Sequence, residues 1–536
     1  MTAFPRVLPV GDSALTFEFG DRLDRVLNSR VRALDRALAE RPFPGLRESV
    51  PTHRSLLVLY DPQRIGFEEV SHLLQERAAA RTDEEARGRL VTVPTLYGGE
   101  DGPDLAEVAR ARGLSEAELI ARHSAPEYVA FMLGFTPGFA YLGPLPEALE
   151  TPRRATPRLR VPAGSVAIAG RQTGVYPVAS PGGWSLLGRT SLRLFDPGAQ
   201  PPALILPGDR VRFEPVRELP GGPASVAGAR ATVAPVLEVL DPGLLTTIQD
   251  GGRFGHRRVG VTWAGPMDGP AHRAANRLLG NAPDASALEC TVVGPVLRFL
   301  APVRFALAGA DLEAVLERED LGNWPVPVGT RVLARPGNVL RFTGRGAGCR
   351  AYLALAGGID VPLVLGSRST DLGSGFGGLE GRALRAHDTL ALGPPPRGGE
   401  RATPPPTAPS PERVRVVLGP QADHLRPESL ATFLAEPYTV GPASDRVGCR
   451  LLGPRLAHRG PAEILSDGMV MGSIEVPPDG LPIVMMADGP TTGGYPKIAT
   501  VVTADLPLLA QALPGQGRVR FAAVEVEEAQ RALPDL

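Results

Sequence analysis

Lysine is almost missing from this sequence. Of the 57 Lys+Arg positions only Lys497 is a lysine, within Thr491-Thr492-Gly493-Gly494-Tyr495-Pro496-Lys497. Arginine supplies the positive charge everywhere else, and a guanidinium is a broad planar fork that does not lose its proton. A lysine is a compact point charge with a movable pKa, and one kept beside two glycines stands where backbone can approach a ligand closely. Lys497 is therefore a candidate catalytic residue. The competing reading is a residual charge on a surface turn, whose loss costs under about 0.5 kcal/mol. Cysteine is nearly as scarce. Cys290, Cys349 and Cys449 lie far apart, in no CxxC and with no histidine at zinc spacing, which excludes a disulfide framework and a zinc motif. Buried thiols in a reducing compartment are expected. Net charge is also lacking, with Lys+Arg 57 against Asp+Glu 58, so neither nucleic acid nor an anionic membrane surface is expected as the main partner. No apolar run is long enough to span a bilayer, and residues 1–6 lack a signal-peptide core. A cytoplasmic protein is expected. No glycine-rich loop runs into Gly-Lys-Ser/Thr, so there is no P-loop, and no metal-ligand motif is read.

Glycine (63) and proline (57) make up more than a fifth of the 536 residues, against roughly 12% in average usage. Punctuation that dense predicts short strands and many turns, and a chain this long needs several cores. Residues 6–20 read as two strands split by Gly11-Asp12. A helix is predicted over 22–41, with Leu23, Val26, Leu27, Val31, Leu34 and Leu38 on one stripe. Strands at 47–50 and Ser55–Tyr60, a helix at Phe67–Ala79 and a strand at 89–97 follow. This order predicts a small ferredoxin-like α+β domain over 1–88. Ser115 with Glu118 forms a capping box, after which short strands between turns predict a β-barrel over 89–216. Residues 217–231 and the Pro-rich 394–411 read as linkers. Between and beyond them lie β-rich units at 232–393 and 412–528, each expected to close into a β-barrel. The fold class is mainly β with α+β.

Several stretches carry chemistry. Arg153, Arg154 and Arg158 are crowded between prolines, suited to a carboxylate or phosphate; a solvated charge run is the alternative. Asp268 precedes a helix with Pro270 near its start, an N-cap pattern as much as a ligand contact. The glycine-rich 366–375 segment is able to cradle an anion through backbone N–H groups. Val161-Pro162 followed by Gln172-Thr173-Gly174-Val175-Tyr176-Pro177 is echoed by Val476-Pro477 followed by Thr492-Gly493-Gly494-Tyr495-Pro496. The period is too long for stacked repeats and predicts duplicated barrels.

Gly134-Phe135-Thr136-Pro137-Gly138-Phe139, Pro152-Arg153-Arg154, residues 161–168 and Ser180-Pro181-Gly182-Gly183-Trp184 resemble the allophanate-hydrolase-subunit-1 family, whose members are also called 5-oxoprolinase B subunits. Residues 247–253, Ala356-Gly357-Gly358-Ile359 and 492–500 resemble the subunit-2 family, or 5-oxoprolinase C subunits. Pro266 and Asp488-Gly489-Pro490 depart from that family's usual pattern. The resemblance implies tandem cyclophilin-like β-barrels behind the α+β domain. It implies a B/C fusion that opens 5-oxoproline to glutamate with ATP, Mg²⁺ and a separate 5-oxoprolinase A component. The chain equally resembles the biotin-dependent carboxyltransferase part of urea carboxylase, and a bacterial pair that regulates a sensor histidine kinase. Lys497, Asp250 and Asp488 are then the candidate catalytic groups. Arg153, Arg154, Arg158, Gln172, Thr173, Arg253, Asp268, Thr492, Gly493, Gly494 and Tyr495 are candidates for holding substrate or nucleotide. A small-molecule substrate is implied, and self-association into a homo-oligomer is left open.

Overall fold

The computed structural model describes residues 4–79, 88–154, 156–221, 234–396 and 413–533. Most of the two linkers predicted from composition, 222–231 and 397–411, lies outside the described residues. The N-terminal sheet runs Arg6–Pro9, Ala14–Glu18, Ser55–Tyr60, Leu46–Pro51, with every neighbouring pair antiparallel. The helix Arg25–Glu40 starts one residue after Asp24, whose carboxylate accepts the N–H groups of Val26 and Leu27. It lays Val31, Leu34 and Leu38 on the sheet beside Val70 and Leu74 of the second helix, Phe67–Ala79, while Val26 points to solvent. The next strand in the chain, Leu90–Tyr97, does not return to this sheet. The N-terminal strand Arg6–Pro9 fills the edge beside Ala14–Glu18 instead.

Leu56-Leu57-Val58-Leu59 is apolar without alternation because both faces of its strand are covered. Leu56 and Val58 face the helices, while Leu57 and Leu59 meet Val470 of the last barrel.

Leu90–Tyr97 enters a closed seven-stranded barrel, where it pairs parallel with Arg210–Pro215. The barrel continues through Tyr128–Leu133, Ala140–Gly143, Gln172–Val175, Ser165–Ala169 and Ser185–Arg189. Over 237–390, where the sequence predicts a barrel, the strands form a six-stranded and a five-stranded sheet that share one apolar core. The helix Gly269–Leu279 packs the small residues Ala271, Ala274 and Ala275 against Ala306, Ala308 and Ala354 of the five-stranded sheet. A C-terminal eight-stranded sheet, nearly closed into a barrel, holds Lys497–Val501 between Ser473–Glu475 and Val414–Leu418. The sequence echo is structural in part. After each Val-Pro a strand enters a barrel, Ser165–Ala169 or Ile483–Met485, and each Tyr-Pro closes a short strand, Gln172–Val175 or Thr492–Gly493. The second copy meets the first barrel at Thr492, whose Oγ1 accepts the Phe135 N–H at 3.1 Å.

Candidate functional site

Lys497 begins a strand and is fully buried, rather than standing on an exposed turn. A buried ammonium needs a counter-charge. Asp467 supplies it, with Oδ2 2.9 Å from Nζ, and also accepts from Ser55 Oγ at 2.6 Å and Gln421 Nε2 at 3.1 Å. Ser55 belongs to the N-terminal domain, so one buried carboxylate ties that domain to the last barrel. Burial alone would raise Asp467. Lys497, Arg54 and the Ser55 hydroxyl outweigh it and hold the carboxyl well below the usual range. Close to Ser55, His53 is wholly buried, with Tyr141 and Phe131 edge-on to its ring at 5.6 and 5.7 Å. The Gln172 amide donates to His53 Nε2 at 2.7 Å, which leaves the ring proton on Nδ1, a buried atom without a partner. Burial and neighbouring Arg54, against Asp467, push the imidazole down to about 3, so it is neutral at working pH. The Tyr141 hydroxyl lies beside the side chains of Ser466 and Thr492. Arg153 borders the same place: its guanidinium faces Tyr141 and Tyr495 and lies beside Gly494, with Glu463 3.8 Å away. Glu475, across the ladder from Lys497, completes the cluster.

The structure thus gathers Lys497, Gln172, Arg153, Thr492, Gly493, Gly494 and Tyr495 where three domains meet. The other candidates lie elsewhere. Arg154 and Arg158 do not form a free anion site, because both bind Asp104 Oδ1, at 3.1 and 2.7 Å. Thr173 Oγ1 points into the barrel core, between His123 Nε2 and the Ala167 carbonyl. The 366–375 loop does cradle an anion, but the anion is Asp250. Its carboxylate accepts from Ser367 Oγ and Ser369 Oγ at 2.6 Å each, from Arg368 N at 2.5 Å and from Gly252 N at 3.0 Å. Arg253 is buried next to it, donating to the carbonyls of Val364 and Ser369. Asp268 is the N-cap of the Gly269–Leu279 helix, accepting Ala271 N–H at 3.0 Å, and its second oxygen takes Gln511 Nε2 at 2.8 Å. Asp488 is gripped through both oxygens by Arg446, at 2.8 and 2.9 Å, and Arg446 also binds Glu289.

Two carboxyltransferase-domain models match the chain, subdomain C and D over residues 5–205 and subdomain A and B over 259–523. The chain is 44% identical to the 5-oxoprolinase B subunit of Bacillus subtilis over 229 residues, covering 41% of this chain and 95% of that protein. It is 41% identical to the 5-oxoprolinase C subunit of Escherichia coli over 300 residues, covering 56% and 95%. The chain belongs to the family of 5-oxoprolinase B and C subunits. Both members' sequences stand in this one polypeptide, B before C. The crystal structure of TTHA0988 shares the whole arrangement, with a TM-score of 0.83 at 39% identity over 95% of this chain and 99% of that one. The urea amidolyase of Kluyveromyces lactis matches 56% of this chain and 19% of its own length, at 30% identity and a TM-score of 0.51. Among the described residues no helix is long and apolar enough to cross a membrane.

The Lys497 cluster therefore lies between the B-like and C-like halves. Reasoning from sequence missed four of its members: His53, Asp467, Glu475 and Tyr141. Two signals were there to use. His53-Arg54 immediately precedes the strand Ser55–Tyr60, which is almost wholly apolar, and Asp467 lies in a short acid-glycine stretch ahead of the lysine motif. Neither signal names the groups that reach it from another domain.

Proposed function

We propose that this chain is the B–C component of an ATP-dependent 5-oxoprolinase, opening 5-oxoproline to glutamate together with a separate A component. What carries the reading is that two stretches, in order, each cover 95% of a 5-oxoprolinase subunit, and that the buried Lys497 of one shares its carboxylate partner Asp467 with Ser55 of the other. Lys497 gives one N–H to Asp467 and has donor capacity beyond it. In a water-poor site a fixed ammonium stabilises charge growing on the amide oxygen. Gln172 holds the neutral His53 ring, whose unpaired Nδ1–H is a second donor for substrate.

ATP makes the amide carbon electrophilic by phosphorylating its oxygen. Asp250 and Asp488 do not fit Mg²⁺. Asp250 is saturated by four internal donors, and Asp488 is held at both oxygens by Arg446. Among the described residues no group of three or more His, Cys, Asp or Glu is placed to hold a metal. We assign Mg²⁺ and the triphosphate to the face supplied by the A component.

Glutamate release from 5-oxoproline is expected only when this chain, the A component and ATP are combined. A coupled glutamate assay checks it; full activity without the A component, or none with it, overturns the reading. The likeness to urea amidolyase favours one alternative, transfer of a carboxyl group from carboxybiotin to urea or a similar amide. The sole lysine of residues 1–536 is buried, so the biotin of that reaction would be attached outside them. Urea-dependent decarboxylation of carboxybiotin in the same assay would promote it.

A further inference from the structure

The Lys497 cluster holds two carboxyls for one ammonium, and they differ. Asp467 has three donors within 3.1 Å. Glu475, only 5% exposed, accepts one backbone N–H, from Tyr495, at 3.4 Å. Other buried carboxylates are better matched. Glu18 has Arg6 and Arg54, Asp505 has Arg415, and Asp104 has two arginines and the Leu186 N–H. A buried carboxyl held this weakly is costly unless it is neutral or in use. Its position is enforced by packing, since a Cβ on Gly493 would collide with Oε1. Lys497 faces it from the adjacent strand, Tyr495 from the same loop and Tyr141 from the first barrel, with Asp467 behind the lysine and Arg153 beside the two tyrosines.

We propose that Glu475 is the proton carrier of this site, giving a proton to the ring nitrogen of the bound lactam as the ring opens. The assignment rests on the 5-oxoprolinase reading. The C–N bond breaks, its electron pair moves onto nitrogen, and nitrogen takes the proton of the Glu475 carboxyl. Water forms the new bond to carbon and the proton it releases returns to the carboxylate; a second water takes the phosphoryl group from the former amide oxygen as inorganic phosphate, so nothing is oxidised or reduced. Burial pushes Glu475 up to about 7, against the pull of Lys497 and the Tyr495 N–H, which matches a group that must both hold and give a proton near neutrality. Asp467, held well below the usual range, stays ionised beside Lys497. Two carboxyls in one cluster are thus driven to opposite roles.

The test compares wild type, Glu475→Gln and Glu475→Asp, each with the A component and ATP, for kcat and KM across pH. Glu475→Gln is expected to lower kcat by roughly 10²–10⁴-fold with KM for 5-oxoproline little changed, the scale of losing a general acid. The alkaline limb of the wild-type profile, near pH 7, should vanish from its residual rate, and Glu475→Asp should recover part of kcat with the limb. On the chain alone, the infrared difference between wild type and Glu475→Gln should show a buried carboxylic-acid carbonyl band at about pH 6 that is lost by about pH 8, on either side of the raised pKa, the contribution of Asp488 being common to both and cancelling. A Glu475→Gln enzyme with near wild-type kcat and an unchanged limb, or no such band in the difference between wild type and Glu475→Gln, overturns the proton-carrier role and leaves the 5-oxoprolinase reading standing. A wild-type assembly that releases no glutamate overturns that reading, and this role with it.

Discussion

Lys497→Ala is expected to lower turnover by roughly 10²-fold or more, the loss typical of one preorganised electrostatic donor. It should also destabilise the chain by about 3–5 kcal/mol, because removing one partner strands a buried charge. The second figure follows from the location. As an exposed turn residue Lys497 would matter little to stability, but it is buried and is the direct counter-ion of Asp467. The pH dependence has a definite sign. Asp467 is held below its unfolded value, so its pairing contributes stability above about pH 4, near the ordinary aspartate pKa, and loses it as pH falls. Without the lysine, Asp467 takes up a proton more readily. The variant's deficit should be largest at neutral pH and shrink toward acid. Lys497→Arg should also be impaired, since a wide fork does not fit a fully packed position. Adding Asp467→Asn to Lys497→Met removes both charges and should restore most of the melting temperature but none of the turnover. Recovery of turnover in that double variant, or an unimpaired Lys497→Arg, would show that the lysine is structural only.

What could be read from the sequence was local. The stripe Val31, Leu34, Leu38 needed only the helical period, and Asp268 needed only cap chemistry. Lys497 was visible as the one outlier of composition. What could not be read was the occupant of each site. Arg154 and Arg158 are close together, as their spacing indicates, but nothing nearby in sequence says that Asp104 already holds them. The glycine-rich loop at 366–375 is an anion cradle, yet its anion comes from Asp250, a distant part of the same chain. Lys497 finds Asp467 in its own barrel, but Ser55 reaches that carboxylate from the N-terminal domain. Long-range pairing has no period and no local motif. The same limit explains the middle of the chain, where short strands and turns were evident but their pairing into two sheets around one core was not.

Arg446 carries the other large effect. Its guanidinium binds Glu289 of the five-stranded sheet, both oxygens of Asp488 in the last barrel and the Gly265 carbonyl, and all three side chains are buried. The two carboxylates share this one cation unequally. Burial would raise Glu289, but Arg446, Arg350 and the Met267 N–H hold it below its ordinary value. Burial pushes Asp488 up to about 6 despite Arg446, with Asp371 and Glu289 adding repulsion. Asp488 is therefore the group that takes a proton in mild acid. Its pKa is raised on folding, so the wild type should lose stability as pH climbs from about 4 toward 6 and level off above, the reverse of the Asp467 effect. Arg446→Met strands two buried carboxylates, and a loss of at least about 3–5 kcal/mol at neutral pH is expected. Unfolding should also lose its coincidence between domains, because the tie between the middle sheets and the last barrel is gone. Urea denaturation followed by fluorescence and by circular dichroism, at about pH 7 and about pH 5, checks both expectations. At the lower pH protonation of Asp488 should relieve part of the deficit. If Arg446→Met unfolds in one step with a midpoint near wild type, the triad contributes little, and the contact between the middle sheets and the last barrel is held by its apolar surface alone.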